Sequence, residues 1–568
     1  MPTTRTPDLP AAGRDDAGPA AAEPAAAAGA GAPEVCLAGR LLDAVAAAGT
    51  HTVFGLPGVH NLAFWRELAP GRPRIVGVRH EQATAYAADG LARATGGLGV
   101  ALTTTGPGAA NAVAAFGEAA ASRSPVLLLA TEIPGALARP GVVRGVLHES
   151  LDQAALFAPL AKAVYRPRTV GEVVRDVAAA IATALAAPRG PVYLDVPTDL
   201  LGQPAPEIRP AAGAGPLTDP AGVGRLVQAV DDAEQVVLWA GGGVHEPGGQ
   251  QALGRLAERI GAPVVTSWAG RGALAPEHPW LVGRPPHEPA VARLVGGADL
   301  LLAVGCRLDA TTTRNWTMPM SRRLAQVNVD PAAFDTNYRT DVAVHGDAAA
   351  TLTELAARVA RRSTPNPVPQ IRAAVDERLA ADPEAVEPLA LVAAIERAVG
   401  PDTFVVSDMC IPGYWWGGYG AVAGPRRLQY PIGWGTLGYA VPAAIGAASV
   451  GPTLVVCGDG GLSMSVGELA TYVQEQLPVT ILLVDDGGYG MLRYDQQRLG
   501  DPLRGVDLHG PDWAALGAAY GVPTTVLDRI DDRLAPALRD GLRTGRPHLV
   551  VLHARLVPPV TTSPRWRD

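Results

Sequence analysis

Two glycine-rich segments carry the residues whose types and spacing best suit chemistry. One is Gly458-Asp459-Gly460-Gly461, directly after the apolar run 453–457; the other is Asp485-Asp486-Gly487-Gly488-Tyr489-Gly490, after the run 479–484. Each run reads as a short buried strand, and the amphipathic stretch 465–476 between them reads as a helix. Strand, helix and strand in succession bring both turns to the carboxyl edge of one parallel sheet, where such sheets place ligands. A carboxylate on a glycine-rich turn suits a hard cation, while the free amides of that turn face a phosphate. Asp459 and Asp486 are therefore expected to converge as oxygen ligands in a metal–diphosphate geometry, the alternative for Asp459 being a simple Asp-Gly turn.

Other segments offer chemistry only in combination. Glu81 follows Arg79-His80 and opens a predicted helix, 81–95, where a lone carboxylate also serves the helix macrodipole. Leu437, in Gly435-Thr436-Leu437-Gly438-Tyr439, is by itself an ordinary core leucine. Gly241-Gly242-Gly243 follows a strand at 235–240 but lacks the GxGxxG spacing of a dinucleotide site, so it reads as a tight turn needing positive φ. Cys36, Cys306, Cys410 and Cys457 are scattered without metal-site spacing; they read as core residues of a protein from a reducing, cytoplasmic compartment. Lys162 is the single lysine, and no Schiff-base role is assigned to it.

Apolar runs of four to eight residues alternate with helix-length amphipathic stretches along the chain, the pattern of α/β domains built on doubly wound parallel sheets. Three such domains are expected. The first spans 34–201, with strands at 52–54, 74–78, 99–104, 125–130 and 191–196 and helices at 81–95 and 108–122. The central one spans 218–360, a linker covers 361–385, and the last domain spans 386–560. Residues 1–33, rich in Ala, Pro and Gly, read as a disordered tail. The first and third blocks are candidates for one ancestral fold, although no repeat of 20–50 residues is evident.

At 568 residues with 48% hydrophobic positions the chain can bury several cores. Its 47 Lys and Arg against 55 Asp and Glu give a net charge of −8, which excludes a phosphate-gripping nucleic-acid binder. No apolar run reaches the length that spans a bilayer. A small-molecule enzyme is the expected class.

Taken together in chain order, Phe54-Gly55-Leu56-Pro57-Gly58, Arg79-His80-Glu81, Thr105-Gly106-Pro107-Gly108, the Leu437 segment and the two aspartate turns resemble thiamine-diphosphate-dependent enzymes, and most closely the acetolactate synthase-like group of 2-oxo acid decarboxylases and carboligases. The resemblance runs from Cys36 to Leu552. It implies thiamine diphosphate and Mg2+ as cofactors, with Asp459, Asp486 and the main-chain oxygen of Gly488 as metal ligands. Pro57, Gly58, Gly458, Gly460, Gly461, Gly488 and Tyr489 are implied to line the cofactor, and Leu437 to wedge it into a bent form. Glu81 is implied to be the catalytic acid against its pyrimidine ring, a buried carboxyl with raised pKa.

The resemblance implies a pyruvate-like 2-oxo acid substrate and a homodimer or homotetramer whose active sites are shared between chains. Where the family has two asparagines this chain has Asp485-Asp486, and Arg493 is near enough in sequence to balance the added charge. The paired histidines of pyruvate decarboxylases are matched at His148 alone, which favours transfer of the acyl unit to a second carbonyl compound; the alternatives are a non-oxidative, benzoylformate decarboxylase-like enzyme that releases an aldehyde and a catalytically silent homologue that binds thiamine diphosphate. His60 and His148 are the histidines expected to face substrate. Thr131-Glu132-Ile133-Pro134 and Asp309-Ala310-Thr311 depart from the flavin-bearing synthases, so FAD stays an open possibility.

Overall fold

A computed structural model describes residues 35–210, 215–560 and 562; the expected tail, 1–33, lies outside the described residues. Among the described residues seventeen strands form three sheets in which every neighbouring pair is parallel. The first sheet contains β1 (Thr52–Gly55), β2 (Arg74–Gly77), β3 (Gly99–Thr103), β4 (Val126–Glu132), β5 (Ala163–Tyr165) and β6 (Val192–Pro197) in the order β2-β1-β3-β4-β6-β5. The second contains β7 (Val236–Ala240), β8 (Val264–Thr266), β9 (Leu300–Val304), β10 (Leu324–Asn328) and β11 (Val342–His345), ordered β11-β10-β9-β7-β8.

The third contains β12 (Phe404–Ser407), β13 (Leu428–Gln429), β14 (Thr453–Gly458), β15 (Val479–Asp485), β16 (Thr524–Leu527) and β17 (His548–His553) in the order β13-β12-β14-β15-β17-β16. Helices cover both faces of each sheet. That is why central strands such as β4 and β9 are apolar runs buried throughout rather than alternating.

The first and third sheets share one strand order, and their equivalent helices, Glu81–Thr95 after β2 and Ala440–Ala448 after β13, pack on each other. The approach is close enough that a Cβ on Gly90 would run into the carbonyl of Ala443, and one on Gly446 into that of Ala87. Around this contact lies a buried charge cluster. Arg93 pairs with Asp89 at 2.8 Å and Glu118 at 2.8 Å, Tyr439 donates to Asp89 at 3.0 Å, and Thr436 donates to Glu118 at 2.9 Å. Every member has a partner, which is the condition for burying charge without a large loss of stability.

Four expectations are corrected. The stretch 361–385 is not a bare linker: it carries the helix Val368–Ala380, whose Val368, Val375 and Leu379 are buried. The helix expected at 108–122 breaks at Ala112 into Pro107–Asn111 and Val113–Ala121. The helix expected at 465–476 starts at Asp459 itself, as Asp459–Ser465 followed by Val466–Glu468 and Leu469–Gln474, because the glycines that suggested a turn serve close packing instead. Gly241-Gly242-Gly243 also needs no positive φ; a Cβ on Gly243 would stand 2.7 Å from the Cα of Gly305, so the glycines let two loops touch. Strands β5, β11, β12, β13, β16 and β17 are additions to the sequence reading; β5, for one, has three half-buried residues that carry no period.

Candidate active site

The third sheet gathers the aspartate turns. Asp459 stands at the end of β14, 2% exposed, and both of its carboxylate oxygens are buried without a hydrogen-bond partner. Burial first, then the neighbouring charges of Asp486 and Asp485, push its pKa up to about 6. Burial also raises the pKa of Asp486, but Arg493 opposes the shift from 3.3 Å. Arg493 is 7% exposed and further donates to the carbonyl of Gly487 at 3.1 Å and to Asp507 at 3.0 Å. It is the charge-balancing cation the sequence suggested. Asp485 points elsewhere, accepting from Trp513 at 3.0 Å and lying 3.3 Å from His553.

Gly460 and Gly488 form the floor between the two turns. A Cβ on Gly460 would stand 2.7 Å from the Tyr489 ring and 3.7 Å from the Gly488 carbonyl oxygen. Gly488 has φ +157°, and a side chain there would run into the Val506 carbonyl and the Arg493 guanidinium. The structure thus brings together Asp459, Asp486, Gly460, Gly488 and Tyr489. Gly458 precedes them as the last residue of β14, and Gly461 closes the far side against Asp408.

Asp408 is a residue the sequence reading missed. It follows β12, is 1% exposed, and accepts from the amides of Met409 and Gly438 at 2.9 Å each. Burial raises its pKa to about 6 against the pull of those amides. By holding Gly438, whose φ is +76°, it fixes the turn that presents Leu437, which is 36% exposed. A lone aspartate after a strand, with no glycine pattern around it, gave little signal.

Glu81 stands in a second cluster, on the first sheet. His80 caps its helix by accepting from the Gln82 amide at 3.1 Å, and Asn111 donates to the Glu81 carboxylate at 2.9 Å. A Cβ on Gly108 would come within 3.4 Å of the other Glu81 oxygen, and one on Gly58 within 2.7 Å of Thr104. Asn61 ties the Pro57-Gly58 loop by donating to Leu56 at 3.0 Å and accepting from Gly58 at 2.8 Å. Glu81 is half-buried in this chain rather than buried as the resemblance implies. Among the described residues no hydrogen bond or ion pair joins the Glu81 cluster directly to the Asp459 cluster; Glu468, accepting from the amides of Arg79 and His80 at 2.9 and 3.1 Å, ties their bases together.

Beside the Glu81 cluster, the ring of His60 meets that of His148 edge to face at 5.3 Å. Burial and the neighbouring ring lower the His60 pKa, and the Nδ1 atoms of both rings are buried without partners. The fold therefore supplies a histidine pair. Its partners lie too far apart in sequence for spacing to reveal it.

Comparison with known proteins agrees with this architecture. Residues 37–156 match the N-terminal thiamine pyrophosphate-binding domain of thiamine pyrophosphate enzymes, 223–355 their central domain, and 411–552 their C-terminal thiamine pyrophosphate-binding domain. The chain is 36% identical to a probable 2-ketoarginine decarboxylase of Pseudomonas aeruginosa over 83% of its own length and 86% of the relative's. It is 30% identical to a probable acetolactate synthase large subunit of Methanocaldococcus jannaschii over 90% of each chain, and 29% identical to the acetolactate synthase isozyme 3 large subunit of Escherichia coli over 83% and 86%. With three α/β domains in this order and these matches, the chain belongs to the acetolactate synthase-like family of thiamine pyrophosphate-dependent enzymes.

Proposed function

We propose that the protein uses thiamine diphosphate and Mg2+ to decarboxylate a 2-oxo acid and releases the acyl unit as an aldehyde. The observation that carries the cofactor reading is the unpartnered, buried carboxylate of Asp459 beside Asp486: Arg493 pairs with Asp486 and Asp507, and the Asp459 carboxylate is left for a divalent ion. Asp459, Asp486 and the Gly488 oxygen would hold Mg2+, and Gly460 and Gly461, packed on Tyr489 and Asp408, would line the diphosphate beside it. When bound, thiamine diphosphate supplies the carbon centre at which a 2-oxo acid loses CO2.

Glu81, aimed by Asn111, moves a proton at its carboxylate; Leu437 offers an apolar edge that fixes the orientation of what lies against it. The His60–His148 pair favours aldehyde release, because it offers an imidazole to deliver the proton that ends such a reaction. The sequence favoured carboligation on His148 standing alone, and the pair is the reason for preferring aldehyde release in this proposal. The relative named as a decarboxylase supports the same outcome. The acetolactate synthase relatives support the second reading, transfer to another carbonyl compound.

Large apolar side chains stand exposed around both clusters, with Val59 59%, Met464 52% and Leu492 51% exposed, which supports a homodimer whose partner covers them. The test is titration with thiamine diphosphate at several Mg2+ concentrations, followed by product analysis by proton NMR with pyruvate, benzoylformate and 2-ketoarginine as donors. Metal-dependent binding with CO2 and aldehyde is expected. Acetolactate-type products would establish the second reading, and absence of binding would overturn both.

A further inference from the structure

Away from both aspartate and glutamate clusters, a cavity of about 390 Å³ opens between the central domain and the helices Val368–Ala380, Val386–Ala398 and Ile411–Tyr419. Its wall is unusual in charge. Arg271, Arg284 and Arg372 all line it, against only Asp376 and Glu396. Arg284 is held by Asp376 at 2.6 Å, and Asp376 is itself half exposed. Arg372 donates to the carbonyls of Leu281, Pro276 and Val282 at 2.6, 3.1 and 3.2 Å, and among the described residues it forms no ion pair. Arg271 donates to the Gly420 carbonyl, and its Nε atom is buried without a partner. Glu396 is engaged by the Ala421 amide at 2.8 Å.

The wall itself carries three guanidiniums against two acids, and Glu277 faces Arg372 from beyond the wall. Burial first and then Arg284 lower the pKa of both Arg271 and Arg372, while Glu396 opposes the shift at Arg271 and Asp376 and Glu277 oppose it at Arg372. The rest of the wall is apolar, with Leu274, Leu281, Leu379 and Val392 among its residues. A concave apolar pocket of this size with a few convergent polar groups is the ordinary form of a small-molecule site, and guanidinium forks match carboxylate and phosphate oxygens.

We propose that this cavity is a second ligand site, which takes a small organic anion, a carboxylate or phosphate monoester with an apolar body, on the Arg271–Arg284–Arg372 cluster. Its position gives it a route to the proposed cofactor site. The helix Ile411–Tyr419 ends at the cavity with Tyr419, while its cap Cys410 donates to the carbonyl of Asp408, the residue that fixes the Leu437 turn. That helix has no slack: Gly417 packs on Trp268, and Gly413 on Ser407 and Asp408, at distances that exclude a Cβ.

The test is calorimetric titration of the full chain with hexanoate and with phenyl phosphate. One site per chain is expected for at least one probe, and which probe binds distinguishes a carboxylate from a phosphate ligand. Arg284→Gln should weaken binding roughly tenfold or more, since it removes a charge-assisted fork. Ala393→Phe, on the cavity wall with every charge intact, should abolish it. Asp376→Asn should tighten binding by freeing Arg284, an effect that loss of folding cannot imitate. Failure of both probes to saturate, or binding unchanged by Ala393→Phe, would overturn the site.

Discussion

The first and third domains are one fold put to two uses. Their sheets have the same strand order, and the third strand of each, β3 and β14, ends at the carboxyl edge in a glycine-bearing segment. In the third domain that segment carries Asp459, and its neighbour β15 ends in Asp485-Asp486; in the first domain the matching segments are Thr105-Gly106-Pro107 and Thr131-Glu132. One edge thus concentrates negative charge, which suits the cation proposed above. The other leaves hydroxyls, a glutamate and two imidazoles, the equipment for moving protons. The shared scaffold fixes where a ligand sits, and a few residues at the strand ends decide what the site can do.

The sharpest way to break this division is to remove the defining acid from each side. Glu81→Gln should lower kcat by about 10²–10⁴-fold while thiamine diphosphate binding, measured by fluorescence titration, changes only a few-fold. Asp459→Asn should do the reverse, with Mg2+-dependent cofactor binding lost first. If both variants lose binding alike, the proposed division of labour is wrong.

The seam between the two domains comes next. Gly446→Val places a side chain against the Ala87 carbonyl and should cost about 3 kcal/mol in urea unfolding, because the facing group is backbone and cannot rotate away.

A smaller effect should separate the sheets by pH. Asp195 is fully buried two positions before the end of β6, where Val551 stands in β17, and burial raises its pKa to about 7 despite Arg168 and Arg166 at 3.9 Å. A carboxyl protonated in the folded state binds more protons there than in the unfolded chain, so its contribution is complete below pH 4 and is lost as pH rises towards 7. Asp195→Asn should therefore raise stability at pH 8 by about 2 kcal/mol and leave it nearly unchanged at pH 4, as read from thermal melts at both pH values. The mildest change is Asp485→Asn. Since Trp513 and His553 hold that side chain, Mg2+-dependent cofactor affinity should move less than about threefold.

The first sheet and the centre of the third were legible in the sequence because buried parallel strands are continuous apolar runs, and the aspartate turns because carboxylates between glycines have few structural uses. What stayed hidden was long-range. Asp89 and Glu118 stand in alanine-rich helices with no local pattern to mark them, and their role lies in meeting Arg93 and the Leu437 turn. His60 and His148 are brought together by loops whose course no local period specifies. Helix starts were misjudged where glycine was present for contact rather than for turning, as at Gly460 and Gly461.

The separation of Glu81 from Asp459 within one chain also has a meaning for mixtures. If two chains pair so that each lends its Glu81 cluster to the other's Asp459 cluster, a Glu81→Gln chain and an Asp459→Asn chain, each inert alone, will together form a hybrid in which one centre carries both defects and the other carries none. Two dead alleles would then restore growth to a cell that depends on the enzyme, while either variant expressed beside the wild type would poison only the share of centres that it enters.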